Sequence, residues 1–238
     1  MPPHPAVTIR RTRRGWRLSQ QGVVLSEVLE HPGPTDSVFD VLAALCLVEP
    51  VPRNIALLGL GGGGTVAALR ALHSSAHVHG VDLDPRGFDL LAEAGSAWTE
   101  PLSRHHEDAV AWLTRCRRRF DVLVEDLSVC ERGEVVKPAA TWEQLPSLIA
   151  ARLAPRGRAI FNLLRPSNLD WSDALRRVRE PFRHVLAVRL LDFENHLLLA
   201  SQAPLDARRI GCEARRHLRR LGSKQAARFA MTSRLPRP

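Results

Sequence analysis

The most informative stretch of this chain is IALLGLGGGG, residues 55–64. Its first four residues are apolar and typical of a buried strand, and the glycines follow that strand at once. A helix is predicted directly afterwards, from Thr65 to Leu72. A glycine-rich turn between a strand and a helix lets the backbone approach a ligand at the carboxyl end of a sheet, where open α/β folds bind their ligands.

Three glycines of this turn, Gly59, Gly61 and Gly63, are therefore candidate cofactor-binding residues. The run fits the spacing G-x-G-x-x-G, which nicotinamide enzymes and adenosylmethionine enzymes share. The alternative is a turn that only packs the helix against the strand. The motif alone does not choose between these possibilities.

An acidic residue closes the next predicted strand, Val78–Val81. Asp82 lies 23 positions after Gly59, at a place where a carboxylate can accept hydrogen bonds from both hydroxyls of a ribose. The alternative is a helix cap or a loop carboxylate, and Asp84 is a candidate cap for the following helix. Together with the glycine run, Asp82 predicts a nucleoside site without saying which nucleoside.

Strands and helices alternate onward, which predicts a parallel sheet with right-handed crossovers. Further strands are predicted at Phe120–Val124 and Arg158–Leu164, and further helices at Phe88–Ala94, Val110–Cys116 and Leu145–Leu153. Only three residues separate the last two strands, Val185–Leu191 and Asn195–Ala200, so these strands form an antiparallel hairpin. The predicted fold class is α/β: Rossmann-like, with a mostly parallel sheet, a C-terminal antiparallel hairpin and a small N-terminal β-segment.

The chain divides into three predicted parts. Residues 1–34 hold short strand-like pieces and are predicted to form a small hairpin or meander. Residues 35–204 form the Rossmann-like nucleoside-binding domain, and Asp36 is expected to cap its first helix. Residues 205–238 form a basic helix or tail.

Two further carboxylates are candidates for the site. Asp108, followed by Ala109, precedes a predicted helix at the end of the third strand, where we favour contact with an adenine amino group over a helix N-cap. Asp126 follows a buried strand and should project into the same cleft, where it can accept a proton from an amine or hold a cationic substrate. The alternative for Asp126 is a turn residue. Glu125 alternates to the other face and is expected outside the site.

Composition excludes several classes of protein. The chain has 238 residues, of which 45% are apolar and 25% are charged, so it is expected to be globular rather than disordered. The longest apolar run, Val41–Val48, is too short to cross a membrane. The N-terminus lacks the apolar segment of a secretory signal, so we expect a cytoplasmic protein. Four scattered cysteines without a C-x-x-C pair predict reduced thiols and no metal site.

The net charge is +9, and most of it lies near the C-terminus. Residues 205–238 carry ten basic and two acidic side chains. Ile210, Ala214, His217, Leu218 and Leu221 recur there at helical spacing, with arginines around them. We expect an amphipathic helix that packs on the domain with its arginines solvated; the alternative is a nucleic-acid-binding surface.

Four segments resemble the spermidine synthase family of polyamine aminopropyltransferases in order and spacing. They are residues 57–63 (LLGLGGG), 81–84 (VDLD), 108–109 (DA) and 120–126 (FDVLVED). The resemblance covers roughly residues 20–202, including FENHLLL at 193–199. It implies a small N-terminal β-domain and a Rossmann-like domain of the adenosylmethionine-dependent methyltransferase-like superfamily, often assembled as a homodimer.

By the same resemblance, Asp82 binds the ribose, Asp108 binds the adenine side and Asp126 helps to deprotonate the attacking amine. The donor is then decarboxylated S-adenosylmethionine, and the leaving product is methylthioadenosine. The acceptor is a small-molecule amine, which takes the aminopropyl group by in-line displacement.

The chain departs from the family pattern beside Asp126. The family has a second acid three residues later, which grips the amine substrate, and here that position is Val129. The expected substrate-binding tyrosine has no counterpart, because the chain contains no Tyr. A diamine needs several carboxylates in its site. Methyl transfer from intact S-adenosylmethionine therefore stays open, as does a catalytically silent nucleic-acid-binding protein, while the antiparallel hairpin disfavours a nicotinamide enzyme.

Overall fold

The computed structural model describes residues 7–20, 22–95, 97–131, 133–166 and 168–232. The chain opens with three strands, β1 (Val7–Thr12), β2 (Gly15–Gln20) and β3 (Val23–Leu29), which form a separate antiparallel sheet in the order β1-β2-β3. This sheet confirms the predicted N-terminal β-segment.

A mixed sheet forms the centre of the molecule, and its described part has eight strands. These strands are β4 (Asn54–Leu58), β5 (His77–Asp82), β6 (Leu102–His106), β7 (Phe120–Glu125), β10 (Leu153–Leu163), β11 (His184–Leu190), β12 (His196–Ser201) and β13 (Phe229–Thr232). Between β7 and β10 the chain forms a separate short pair, β8 (Val129–Glu131) and β9 (Glu134–Val136). The order in the main sheet is β13-β11-β12-β10-β7-β4-β5-β6. Strands β10, β7, β4, β5 and β6 are parallel, and β11 and β12 form the predicted antiparallel hairpin. The predicted fold class is confirmed.

Helices cover both faces of this sheet. They are α1 (Val38–Cys46), α2 (Gly64–Ala71), α3 (Pro85–Gly95), α4 (Ala109–Arg115), α5 (Ala140–Glu143), α6 (Leu145–Arg152), α7 (Trp171–Arg179) and α8 (Ala207–Leu221). Successive strand residues enter opposite cores because side chains alternate along a strand: Ile160 packs with α1, α2 and α8, whereas Phe161 packs with α4, α6 and α7. No helix of the described residues is both long enough and apolar enough to span a membrane.

The cap of α1 differs from the prediction. The N-cap is Ser37, whose side chain accepts a hydrogen bond from the backbone N–H of Phe39 at 3.3 Å. An N-cap residue needs an extended backbone, whereas Asp36 has a φ of 56°. The Asp36 carboxylate instead accepts a hydrogen bond from the backbone N–H of Lys224 at 3.0 Å. The prediction that Asp36 caps this helix is wrong.

The C-terminal segment is built into the domain. Helix α8 buries the four predicted apolar residues, Ile210, Ala214, Leu218 and Leu221. A short 3₁₀ turn follows at Lys224–Ala227, and β13 then pairs with β11 at one edge of the main sheet. The described part of the basic segment therefore includes an edge strand as well as a helix.

Candidate active site

Strands β5, β4 and β7 are neighbours in the main sheet, so their carboxyl ends lie side by side. We call this end of the parallel strands the carboxyl edge of the sheet. Backbone hydrogen bonds continue beyond the strands: the N–H of Gly59 donates to the carbonyl of Val81, and the N–H of Asp126 donates to the carbonyl of Leu58, both at 2.8 Å. Asp82 ends the neighbouring strand β5. The topology therefore brings together three predicted site residues that lie far apart in the sequence.

The glycine turn takes a backbone conformation that favours glycine. Gly59, Gly61 and Gly63 have φ values of 89°, 52° and 73°, in the left-handed region that other residues rarely adopt. A Cβ atom on Gly59 would lie 2.5 Å from the carbonyl oxygen of Asp126. The turn therefore lies directly against the end of β7, and a side chain at Gly59 would separate them.

The N-terminal sheet covers another side of this turn. The backbone N–H of Gly62 donates to the hydroxyl of Ser26, on β3, at 2.6 Å. A Cβ on Gly62 would lie 2.5 Å from the carbonyl oxygen of Glu27. Ser26 cannot be predicted from the sequence, because no motif connects a serine of the first sheet with a turn 36 residues later.

Asp82 is half-buried and holds the glycine turn. Its Oδ2 accepts a hydrogen bond from the N–H of Gly61 at 2.7 Å, and its Oδ1 accepts one from the N–H of Asp84 at 3.0 Å. Burial raises the pKa of Asp82, and hydrogen bonds from these two N–H groups oppose that rise. Each carboxylate oxygen can accept more than one hydrogen bond, so Asp82 retains capacity for ribose hydroxyls.

Asp108 is the N-cap of α4. Its Oδ1 accepts a hydrogen bond from the N–H of Ala111 at 2.9 Å, which is the alternative role that the sequence allowed. Asp108 is exposed and lies two residues after His106, the last residue of β6, which pairs with Asp82 on β5. Ala109 is buried in the core.

Asp126 is held by a side-chain amide. Its Oδ1 accepts a hydrogen bond from Nδ2 of Asn162 at 2.7 Å, and Oδ1 of Asn162 accepts one from Nδ2 of Asn195 at 2.9 Å. Burial raises the pKa of Asp126 to about 7, Glu125 and Asp82 contribute to the rise, and Lys137 and Asn162 oppose it. A carboxyl group that titrates near neutrality is suited to proton transfer.

The two asparagines were missed as site residues. Asn162 lies in β10, in the apolar segment AIFNLL, and only 6% of it is exposed. A polar residue buried in such a run needs a hydrogen-bonding partner, and this was the signal available in the sequence. The identity of the partner depends on the pairing of β10 with β7, which the sequence does not state.

Glu125 lies outside the cleft, in the core on the other side of β7. It is fully buried, and its Oε1 lies 3.0 Å from Nζ of Lys137 and accepts a hydrogen bond from the hydroxyl of Thr141 at 3.0 Å. Glu125 therefore lies outside the site, as the alternation of side chains along β7 predicts. Lys137 is almost fully buried, and its charge reaches Asp126 and lowers the pKa of that carboxyl group.

Val129 occupies the position where the resemblance calls for a second acid. It begins the short hairpin β8–β9 and is 37% exposed. The described residues contain no group of three or more His, Cys, Asp or Glu side chains arranged to hold a metal ion.

A probable spermidine synthase from Corynebacterium glutamicum superposes on this structure with a TM-score of 0.71, at 16% identity, over 95% of this chain and 86% of that chain. The chain has the fold of the spermidine synthases. The spermidine synthase of Thermotoga maritima superposes with a TM-score of 0.60 at 14% identity, over 83% of this chain and 69% of that chain. The family resemblance seen in the sequence is confirmed at the level of the fold.

Methyltransferases share this fold. Human methyltransferase-like protein 13, in complex with SAH, superposes with a TM-score of 0.62 at 22% identity, over 77% of this chain and 90% of that chain. The tRNA1(Val) (adenine(37)-N6)-methyltransferase of Edwardsiella ictaluri is 28% identical over 142 residues, which are 59% of this chain. The match spans 56%, little more than half, of the length of that curated relative. No family model matches the chain.

Proposed function

We propose that this chain is a transferase that binds an adenosyl-sulfonium donor at the glycine turn and transfers an aminopropyl group to an amine. The observation that carries the proposal is the position of Asp126. Its carbonyl touches the turn at Gly59, and its carboxyl group has a pKa of about 7. Transfer to an amine needs such a base beside the donor site.

The residues around the turn suit the donor, decarboxylated S-adenosylmethionine. Asp82 offers a carboxylate to the ribose hydroxyls, since it is already fixed by backbone N–H groups. Leu83 follows it and is 65% exposed, which leaves an apolar side chain for the adenine ring to cover. Asp108 lies two residues beyond the neighbouring strand β6 and is the candidate for the adenine amino group.

The proposed reaction is a displacement at the carbon next to sulfur. The lone pair of the neutral amine forms the new N–C bond while the C–S electron pair stays on sulfur, which releases methylthioadenosine. Asp126 takes the proton that the nitrogen loses. Because the sulfonium is already a good leaving group, the protein contributes chiefly orientation and the base.

Asn162 is the proposed positioning residue for Asp126. Its amide donates to Oδ1, and Asn195 fixes the orientation of that amide by donating to its oxygen. Oδ2 of Asp126 is therefore the oxygen that we assign to the acceptor. Donation from Asn162 also keeps the pKa of Asp126 lower than burial alone would set it.

Methyl transfer from intact S-adenosylmethionine is the second candidate, and Val129 is the observation that favours it. A neutral side chain at this place removes one of the carboxylates that a diamine would need. The likeness to methyltransferases also supports this candidate. The same residues would bind the nucleoside in either reaction. The two reactions are therefore distinguished by which form of adenosylmethionine the protein binds more tightly.

Calorimetric titration with four nucleosides tests the proposal. Decarboxylated adenosylmethionine and methylthioadenosine should bind more tightly than adenosylmethionine and adenosylhomocysteine if an aminopropyl group is transferred. The reverse order would support methyl transfer. If none of the four binds, the proposed donor site is wrong.

A further inference from the structure

Helix α8 carries exposed arginines along one side. We call this side the arginine face; its members are Arg208, Arg209, Arg216, Arg219 and Arg220. A helix turns by about 100° per residue, so these side chains fall within about 120° of its circumference. Arg208 and Arg220 are about 18 Å apart along the axis. The apolar residues of α8 are buried on the other side.

Acidic side chains do not neutralise this face. Among the described residues, the one acidic group within ion-pair distance of it is Glu213, at 3.9 Å from Arg209. Glu213 also accepts a hydrogen bond from the backbone N–H of Glu49 at 2.9 Å. Arg216 and Arg220 lie four residues apart, and like charges at this spacing repel. Four of the five arginines of this face, all except Arg209, therefore have no acidic partner among the described residues.

The stability of α8 explains only part of this arrangement. Arg219 and Arg220 lie in the last turn, where the helix dipole favours a positive charge. Arg208 lies in the first turn, where the dipole disfavours one, and that turn has no acidic residue. Arg215 of the same helix, in contrast, has a structural role. Its guanidinium lies 4.9 Å from the ring centre of Phe229 and donates to two backbone carbonyls.

We propose that the arginine face binds the sugar-phosphate backbone of a nucleic acid. Guanidinium groups donate paired hydrogen bonds to phosphate oxygens, and about 18 Å spans about five phosphates of one duplex strand. A helix that binds a membrane surface needs apolar side chains to insert, and those of α8 are buried. This interaction does not depend on the proposed transfer reaction.

A charge-matched pair of variants tests the proposal in the full chain. The first variant replaces the four arginines without an acidic partner, as Arg208→Gln, Arg216→Gln, Arg219→Gln and Arg220→Gln. The control removes the same charge from exposed arginines elsewhere, as Arg156→Gln, Arg177→Gln, Arg179→Gln and Arg183→Gln. Thermal unfolding of both variants checks that the fold is retained.

Fluorescence anisotropy then measures the affinity for a labelled single-stranded RNA and for a DNA duplex of equal length, at several salt concentrations. The first variant should bind at least about tenfold more weakly, and its plot of log affinity against log salt should be flatter by about 3 for the better ligand. The control should bind within about twofold of the natural chain, because its charges lie outside the proposed contact. The better of the two ligands identifies the type of nucleic acid.

Cys212 provides a second measurement that needs no substitution. It is exposed and lies midway between Arg208 and Arg216, so bound nucleic acid should slow its alkylation by iodoacetamide. Cys116, at the end of α4, is the internal reference, and its alkylation rate should not change.

Unchanged alkylation of Cys212 at saturating nucleic acid would overturn the proposal. So would equal weakening in the two variants, or binding to phosphatidylserine vesicles with no binding to either nucleic acid.

Discussion

Asp82 and Asp126 lie at the same edge of one sheet, but the protein holds them differently. Backbone N–H groups of the glycine turn fix Asp82 and oppose the rise in its pKa. One side-chain amide holds Asp126, and neighbouring acids add to the effect of burial, so that its pKa reaches about 7. A carboxylate that is fixed by backbone N–H groups and can still accept further hydrogen bonds suits binding, whereas a partly buried carboxyl group that titrates near neutrality suits proton transfer.

The largest expected effect is the loss of turnover in Asp126→Asn. The new amide can still accept a hydrogen bond from Asn162 but cannot accept the acceptor's proton. Transfer, followed as release of methylthioadenosine or of adenosylhomocysteine, should fall by about 10²- to 10⁴-fold. Affinity for the released nucleoside should stay within about twofold of the natural value, because the variant leaves Asp82 and the glycine turn unchanged. Half-normal turnover in this variant would remove Asp126 from the mechanism.

The converse variant, Asp82→Ala, should lose the nucleoside. Hydrogen bonds to a charged group contribute about 1.5–3 kcal/mol, so affinity for methylthioadenosine should fall by about 10- to 100-fold. Calorimetry on both variants measures the division of roles. Equal loss of affinity in Asp82→Ala and Asp126→Asn would contradict it.

The pH dependence of turnover separates the two carboxylates further. A base acts in its deprotonated form, so turnover should rise with pH through about 7, where Asp126 loses its proton. In Asn162→Leu the carboxylate loses a donor that stabilises its charged form, so this rise should move to higher pH. The affinity of Asn162→Leu for the nucleoside should not change, because the substitution leaves Asp82 and the glycine turn unaltered.

Asn195→Ala is the graded control for this experiment. It leaves the bond between Asn162 and Asp126 in place but removes the group that orients the amide. Its shift should have the same direction as in Asn162→Leu and should be smaller. A pH profile unchanged in both variants would refute the positioning role.

The smallest expected effect concerns the free energy of unfolding and a histidine on β5, the strand that ends at Asp82. His79, on β5, is 7% exposed, and its pKa is lowered to about 4, first by burial and then by the charges of His77, Arg118 and His105. Between about pH 4 and the ordinary value of 6.5 the unfolded chain binds a proton there that the folded chain does not. His79 should therefore reduce the free energy of unfolding as the pH falls through this range.

Urea unfolding of His79→Phe at pH 5 and pH 7 measures this contribution. The variant should lose less stability on acidification than the natural chain does, and the exposed His31→Asn should behave like the natural chain. The comparison between variants removes the opposite contribution of Asp126, whose raised pKa favours the folded state at low pH. Identical acid sensitivity in all three proteins would contradict the account of His79.

The sequence predicts features that depend on local pattern. The strand, glycine turn and helix of residues 54–71 follow from apolar runs and glycines, and Asp82 and Asp126 follow from strands that end at a shared edge. The bounds of β6 and β13 do not follow from the sequence, because both strands lie at the sides of the sheet, where a strand has one paired neighbour and less apolar character. Asn162 could not be assigned, since its partner lies 36 residues away in the sequence.

A crystal structure of the chain with methylthioadenosine would show whether the nucleoside lies between Asp82 and Asp126 as proposed. Both ribose hydroxyls should donate to Asp82, the nucleoside should lie against Gly59 and Gly61, and its sulfur should face the side of the cleft where Asp126 lies. A nucleoside bound elsewhere, or bound at the turn with its sulfur pointing away from Asp126, would contradict the account.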